Sequence, residues 1–395
     1  MLFYLQFKNH DIEKLQDLIK FFFDKVQSSN PTSFSSKILF PQWYSDPPVH
    51  RMTVLEKLLK EFLTFDDATK NRIIDAFNRS LDIKRLFDDT TLSIDTAKDF
   101  NNIVWKTIND KKGNTKQLSI ADFLSELFNH LYSSQLGKKD SSFCKKIKSD
   151  LGEFYRLFVQ ENSINYVEYM VCPYCGLEKM RDEMSIRKPD HDHLLPKGND
   201  LFVFAAINSK NLFPSGTDCN LVKDTKQLLY SDDFKTRCTA FYPYNSQPHP
   251  FEEMVFSLNC LELPNINNSY KGNWSVEIEP KNAADTIIRD KIESWDRVFN
   301  IKARYKRIIS IGNKALIDKE LQLTRLTNTE ELKKKLESQI ERLPINYFML
   351  STELEVITRR IFFQWAIEEI SYLQELIDLN IKNNFATQVD LSFVA

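Results

Sequence analysis

A helical period runs through both ends of the chain and fails between residues 166 and 245, and this pattern constrains the fold most. Apolar residues recur at helical spacing over Asp11–Lys25, where Ile12, Leu15, Leu18, Ile19 and Phe22 share one face. The pattern returns over Val54–Leu63, Ile73–Leu81, Ile120–Leu131 and Ile147–Phe158. From Ala283 onward, Ile287–Leu326, Glu330–Leu343 and Ser351–Leu379 carry amphipathic patterns rich in Lys, Arg and Glu. Only 8 of the 395 residues are Gly, against the roughly 7% usual in proteins. That scarcity favours long helices over a glycine-rich nucleotide-binding α/β fold. Ser28–Pro48, Gly113–Thr115 and Gly137–Ser142 read as breaks, and Trp274–Glu279 alternates like a strand. No internal repeat is visible, and the tail after Asn380 reads as frayed. The expectation is a mainly α protein, α+β overall, in three segments: helical 1–165, a chemically distinct 166–245, and a helical 246–395 with a short β element.

The net charge of −2 excludes a protein that binds polyanions by its overall charge. Basic runs such as 145–148, 302–307, 333–335 and 359–360 read first as solvated helix faces. The 302–307 run, with its interleaved Tyr305, is the one candidate for gripping a phosphate backbone. The N-terminal apolar run is too short for a signal peptide, and no stretch is long enough to span a membrane. A cytoplasmic setting follows as the expectation. There the Cys172-x-x-Cys175 pair points to metal or redox chemistry, not to a structural disulfide. A thioredoxin-like reading needs a βαβ context that the sequence lacks. Cys144 and Cys260 read as packed.

The central segment holds Cys172-Pro-Tyr-Cys175-Gly, Asp192-His193-Leu-Leu-Pro-Lys197, Asn211-Leu-Phe-Pro, and Asp218-Cys219-Asn220-Leu-Val-Lys223. Hydrolysing a phosphodiester requires a base to take a proton from water and a positive charge to meet the developing oxyanions. A histidine suits the first task and one divalent cation the second. Asp192 offers a carboxylate beside His193, and Asn220 an amide oxygen on an expected helix. The span from His193 to Asn220 accommodates a loop, a returning strand and the first turn of a helix. The bland alternatives are a histidine with no task at 193, a turn residue at Asn211 and a helix cap at Asn220.

In this order the fragments resemble the HNH (ββα-metal) endonucleases. The likeness is strongest to the branch found beside ATPases in bacterial anti-phage systems of the Septu type. It covers residues 168–245, including Phe241-Tyr-Pro-Tyr244, and extends weakly to the helical flanks. It implies an inserted ββα-metal nuclease domain at 166–245 with Mg²⁺ or Mn²⁺ as catalytic ion. By position, Asp192 and Asn220 would be metal ligands, His193 the general base and Asn211 a brace for the loop that orients it. Lys197 and Lys223 would contact phosphate. The resemblance also implies a nucleic-acid substrate, DNA favoured over RNA, an ABC- or SMC-like ATPase as partner, and a role in defence against phage.

Family members often carry a second Cys-x-x-Cys that completes a structural zinc site. Here Cys219 is present, but Gly216 stands three residues before it. Cys172, Cys175 and Cys219 leave tetrahedral zinc one ligand short. His191, Cys238 or a water are the alternatives for the fourth, and loss of zinc is another. Asp190-His191-Asp192-His193 contains two Asp-His pairs, and the second is chosen because Leu-Leu-Pro-Lys follows it. A zinc-stabilised scaffold with an inactive centre and a nuclease acting on RNA such as tRNA are the competing functional readings.

Overall fold

The computed structural model describes residues 1–46, 53–109, 115–162, 170–180, 191–233, 235–264, 272–322, 328–378 and 381. The chain forms two compact units. One comprises Leu5–Ser163 and Met180–Asn245; the other comprises Met1–Tyr4, Ile164–Lys179 and Ser246–Ala395. The three sequence segments are therefore regrouped. Asp192–Asn220 belongs with the N-terminal helices, whereas Cys172–Cys175 belongs with the C-terminal region.

The first unit opens with α1 (Lys14–Ser29), α2 (Ser36–Leu39), α3 (Gln42–Ser45), α4 (Val54–Phe62), α5 (Asp67–Arg79) and α6 (Ile83–Asp88). Caps follow the local sequence. Thr53 and Glu56 form a reciprocal capping box on α4, and Asp66 accepts from Thr69 N–H at the start of α5. The apolar faces meet in a phenylalanine core, with Phe23 tilted against Phe62 at a ring distance of 5.2 Å and edge-on to Phe77 at 5.1 Å. The segment 28–46, expected as a loop, includes the two one-turn helices α2 and α3, while 47 and 48 lie outside the described residues.

A hairpin of β1 (Val104–Asn109) and β2 (Thr115–Ser119) interrupts the helices; Gly113 lies outside the described residues. Its short, polar strands carry too little alternation to stand out. Next come α7 (Ile120–His130), a π-helical turn (Leu131–Leu136), α8 (Ser142–Ile147) and α9 (Leu151–Asn162). The pattern read over Ile147–Phe158 resolves into α8 and α9, separated by Lys148 at positive φ.

The last part of this unit carries β3 (His191–His193), 3₁₀ turns at Asp200–Ile207 and Ser209–Asn211, β4 (Leu212–Pro214) and α10 (Thr217–Lys223). β3 and β4 pair antiparallel, with Asp192 opposite Phe213 and His193 opposite Leu212. Three contacts seat this element. Phe128 of α7 packs edge-on against Phe204 at 5.4 Å, Phe158 of α9 lies against Phe213, and Tyr244 donates its hydroxyl to the Leu212 carbonyl.

The second unit contains β5 (Met254–Glu262) and β6 (Asn273–Pro280), an antiparallel pair that buries Met254, Phe256 and Leu258 beside Trp274, Val276 and Ile278. The alternation of β5 was as readable as that of β6, although only β6 was expected. α11 (Thr286–Phe299) and α12 (Ile301–Gln322) replace the single helix read over 287–326. Asn300 takes a left-handed conformation between them, which asparagine tolerates better than most residues. α13 (Thr329–Arg342) follows. The run read over 351–379 divides into α14 (Tyr347–Thr352), α15 (Val356–Ala366) and a final helix over 370–378. Residues 379–380 and the chain after 381 lie outside the described set. Among the described residues, no helix is long and apolar enough to cross a membrane.

Candidate functional site

β3 and α10 bring three of the sequence-selected residues, Asp192, His193 and Lys223, together. Asp192 and His193 stand on β3, only 4% and 6% exposed. Lys223, at the end of α10, is fully buried at 0% exposure. Its ammonium donates to Asp192 Oδ1 at 2.9 Å and to the His193 carbonyl at 2.6 Å. This corrects the expectation of a phosphate contact, because the lysine spends its charge inside the protein on a carboxylate. Asn220 lies one turn before Lys223 on the same face of α10 and is half-buried. Gly216 holds the N-cap position, so Asn220 sits inside the helix and the capping alternative is excluded.

Asn211 is completely buried and acts as a clamp. Its Oδ1 accepts from Leu195 N–H at 2.8 Å, and its Nδ2 donates to the carbonyls of Leu195 and Ala205 at 3.0 Å each. The loop leaving β3 is thereby tied to the 3₁₀ turn that returns to β4. The residue after Ala205 supplies the carbonyl that meets His193 Nε2 at 3.1 Å. A carbonyl only accepts, so Nε2 carries a proton and donates it to Ala206. Asn211 thus holds the backbone one residue before the carbonyl that His193 meets.

Tyr132, on the π-helical turn, is a neighbour that sequence reasoning missed. Its ring stands edge-on to His193 at 4.5 Å, and Lys197 Nζ rests 4.0 Å from its centroid. Burial and the nearby Asp192 charge push the Tyr132 phenol up to about 12. Lys197 itself is solvent-exposed, and the surrounding protein lowers its pKa. The only sequence signal for Tyr132 was its place at the end of α7, just before a helix break; π-turns of this kind often sit at functional sites.

Two flanking clamps come from the motif Phe241–Tyr244 and from Arg237. Tyr242 donates to the Lys210 carbonyl at 3.2 Å beside the Tyr244 bond to Leu212. Burial raises both phenols. Arg237 donates to the carbonyls of Leu86, Asp89, Leu92 and Leu229, at 2.8, 3.2, 3.3 and 2.9 Å respectively. Asp190 lies outside the described residues, as does the side chain of His191, and with them the alternative Asp-His register.

The second unit holds a candidate metal centre. The Cys172–Cys175 turn closes through Gly176 N–H to the Cys172 carbonyl at 2.9 Å, and Leu177 N–H points at Cys175 Sγ at 3.4 Å. Gly176 has φ +68°, and a Cβ there would meet Leu2 Cδ1 at 2.8 Å, so the turn requires glycine. Val171 and Lys179 bridge below the turn, which returns Glu178 to the thiols. The ligand atoms of Cys172, Cys175 and Glu178 all lie within 4.8 Å of one another. This group could hold a metal ion such as zinc, with Glu178 a ligand that sequence reasoning overlooked.

Arg304 lies 3.6 Å from the Glu178 carboxylate, Tyr305 donates to the Cys175 carbonyl at 2.9 Å, and Trp295 donates to the Tyr174 carbonyl at 2.9 Å. The 302–307 run is therefore no stacking platform. Tyr305 is fully buried, and Lys302 and Lys306 engage Glu277 and Asn273. Cys219, expected as a zinc ligand, is buried in α10 of the first unit. Cys144 is buried, as expected; Cys238 and Cys260 are half-exposed.

No protein-family model, curated protein or solved structure matches this chain.

Proposed function

We propose that the first unit is a metal-dependent phosphodiester hydrolase of the HNH type, acting on nucleic acid, with Asp192, His193 and Asn220 as its centre. The observation that supports this most is the strand–strand–helix element itself. It sets Asp192 and His193 on the first strand, Asn211 at the entry to the second and Asn220 on the helix, in the order the resemblance implies. The donor set suits a hard divalent ion such as Mg²⁺ or Mn²⁺: a carboxylate and an amide oxygen. In the structure, Asp192 Oδ1 is paired with the Lys223 ammonium, which a divalent ion would have to meet there. When bound, the ion would supply Lewis-acid stabilisation of the phosphate oxygens. His193, its Nε2–H held by the Ala206 carbonyl, presents Nδ1 to take the proton of the attacking water. Lys197 is the remaining candidate for meeting phosphate.

In the second unit, Cys172, Cys175 and Glu178 would hold structural zinc. The substrate reading favours DNA, the partner reading an ABC- or SMC-like ATPase, and the biological reading defence against phage; all three rest on the resemblance.

One observation favours a second reading. Asp192 and His193 are nearly excluded from solvent, as suits a zinc-stabilised scaffold whose centre no longer turns over. Plasmid DNA and total RNA incubated with the protein and Mn²⁺, alone and with an ABC- or SMC-like ATPase, separate the readings. Mn²⁺-dependent cleavage abolished by His193→Ala supports the nuclease, and the substrate that is cut decides between DNA and RNA. Intact nucleic acids throughout support the scaffold.

A further inference from the structure

Lysine is almost never fully buried unless paired, and a buried carboxylate needs a counter-charge to remain ionised. Lys223 and Asp192 answer both demands at once, at 0% and 4% exposure with 2.9 Å between Nζ and Oδ1. The second bond of Nζ, to the His193 carbonyl, ties α10 to the backbone of the proposed base. Lys223 also stands three residues beyond Asn220, on the face that carries the second proposed oxygen donor.

Resting on the nuclease reading, we propose that Lys223 is a built-in counter-cation that holds the Asp192 centre together without metal and competes with the divalent ion for Asp192. The ammonium occupies Oδ1 and places a positive charge where a second cation must arrive. Like charges in a poorly solvated site oppose each other far more than in water. The resting centre therefore binds divalent ions weakly. A substrate phosphate, which brings negative charge to the same place, raises ion affinity, and by linkage the ion raises substrate affinity equally. Lys223 is on this account a positioning residue that makes loading of the centre depend on substrate.

Isothermal titration with Mn²⁺ and thermal melts, with and without Mn²⁺, test this on the full chain. Four proteins are compared: wild type, Asp192→Asn, Lys223→Met and Asp192→Asn/Lys223→Met. The Asp192-dependent Mn²⁺ site is expected to tighten at least about tenfold in Lys223→Met. That variant should melt lower than wild type without metal and recover with Mn²⁺, while wild type responds little. The double variant, with no buried charge left unpaired, should melt above metal-free Lys223→Met and ignore Mn²⁺. Equal or weaker Mn²⁺ binding in Lys223→Met than in wild type overturns the inference and leaves the nuclease reading standing. Absence of an Asp192-dependent site in both proteins overturns the two together. If Lys223→Met fails to fold even with Mn²⁺ while the double variant folds, the inference is likewise overturned, since the ion then cannot replace the ammonium.

Discussion

Replacing Asn211 by alanine removes three hydrogen bonds from a side chain with no solvent exposure. The Leu195 N–H loses its acceptor at a buried position, which costs about 1–3 kcal/mol. The Leu195 and Ala205 carbonyls each lose a donor, at roughly 0.5–1.5 kcal/mol apiece. The loss of about 2–6 kcal/mol is a large part of the ~5–15 kcal/mol that holds a typical domain folded. Asn211→Asp sharpens the test, because aspartate retains the acceptor for Leu195 N–H but turns a second oxygen toward two carbonyls. It should destabilise at least as much as alanine, despite its near-identical shape. Urea unfolding gives the free energies, and hydrogen exchange across residues 191–214 locates the loosening, which should centre on Leu194 and Leu195. A change within about 0.5 kcal/mol for alanine, or wild-type stability for aspartate, would refute the idea that this amide locks the loop.

Arg237→Met strips donors from four backbone carbonyls and should cost about 2–4 kcal/mol; Arg237→Lys should rescue little, because an ammonium cannot fork toward all of them. Thermal melts of both variants check this. Burial lowers the His249 pKa, and its Nδ1 accepts from Tyr4 N–H at 3.1 Å while its ring stacks on Tyr347. The unfolded chain therefore binds that proton first as pH falls. His249's contribution to the stability of the second unit is full above about pH 6.5 and declines from there toward the folded pKa. His249→Leu should flatten that acid-side loss in melts at stepped pH, and an unchanged slope would remove His249 as its source. Elemental analysis of purified protein should find one zinc per chain, lost in Cys172→Ser and Glu178→Ala; the same measurement on Cys219→Ser decides whether that thiol is a ligand.

The sequence yielded the helices wherever an apolar stripe faced a core, as in α1, α4 and α7. It misled where a break needed only one residue, as at Asn300, whose left-handed turn leaves the apolar period on both sides intact. The β1–β2 hairpin stayed hidden because Val104 and Ile108 are exposed, so no alternation separates a buried face from a wet one. At the candidate centre, the order of Asp192, His193, Asn211 and Asn220 is legible in the sequence and runs along β3, the entry to β4 and α10. The burial of Lys223 is not, because a lysine near a proposed phosphate site reads as a surface cation until its burial is known. Tyr132 and Glu178 were missed for different reasons. Tyr132 reaches His193 only through the packing of distant elements, and a lone Glu three residues after a Cys-x-x-Cys carries no signal until the turn folds it back onto the thiols.

The central claim is that Asp192 and Asn220 grip one divalent ion beside His193. Its most direct test is an anomalous-difference map from crystals soaked with Mn²⁺ and a short oligonucleotide. The account predicts a Mn²⁺ peak about 2.0–2.6 Å from a carboxylate oxygen of Asp192 and the amide oxygen of Asn220, absent from crystals of Asp192→Asn. A well-ordered centre with no peak there, or with the Asn220 amide turned away from an ion bound to Asp192, would contradict it.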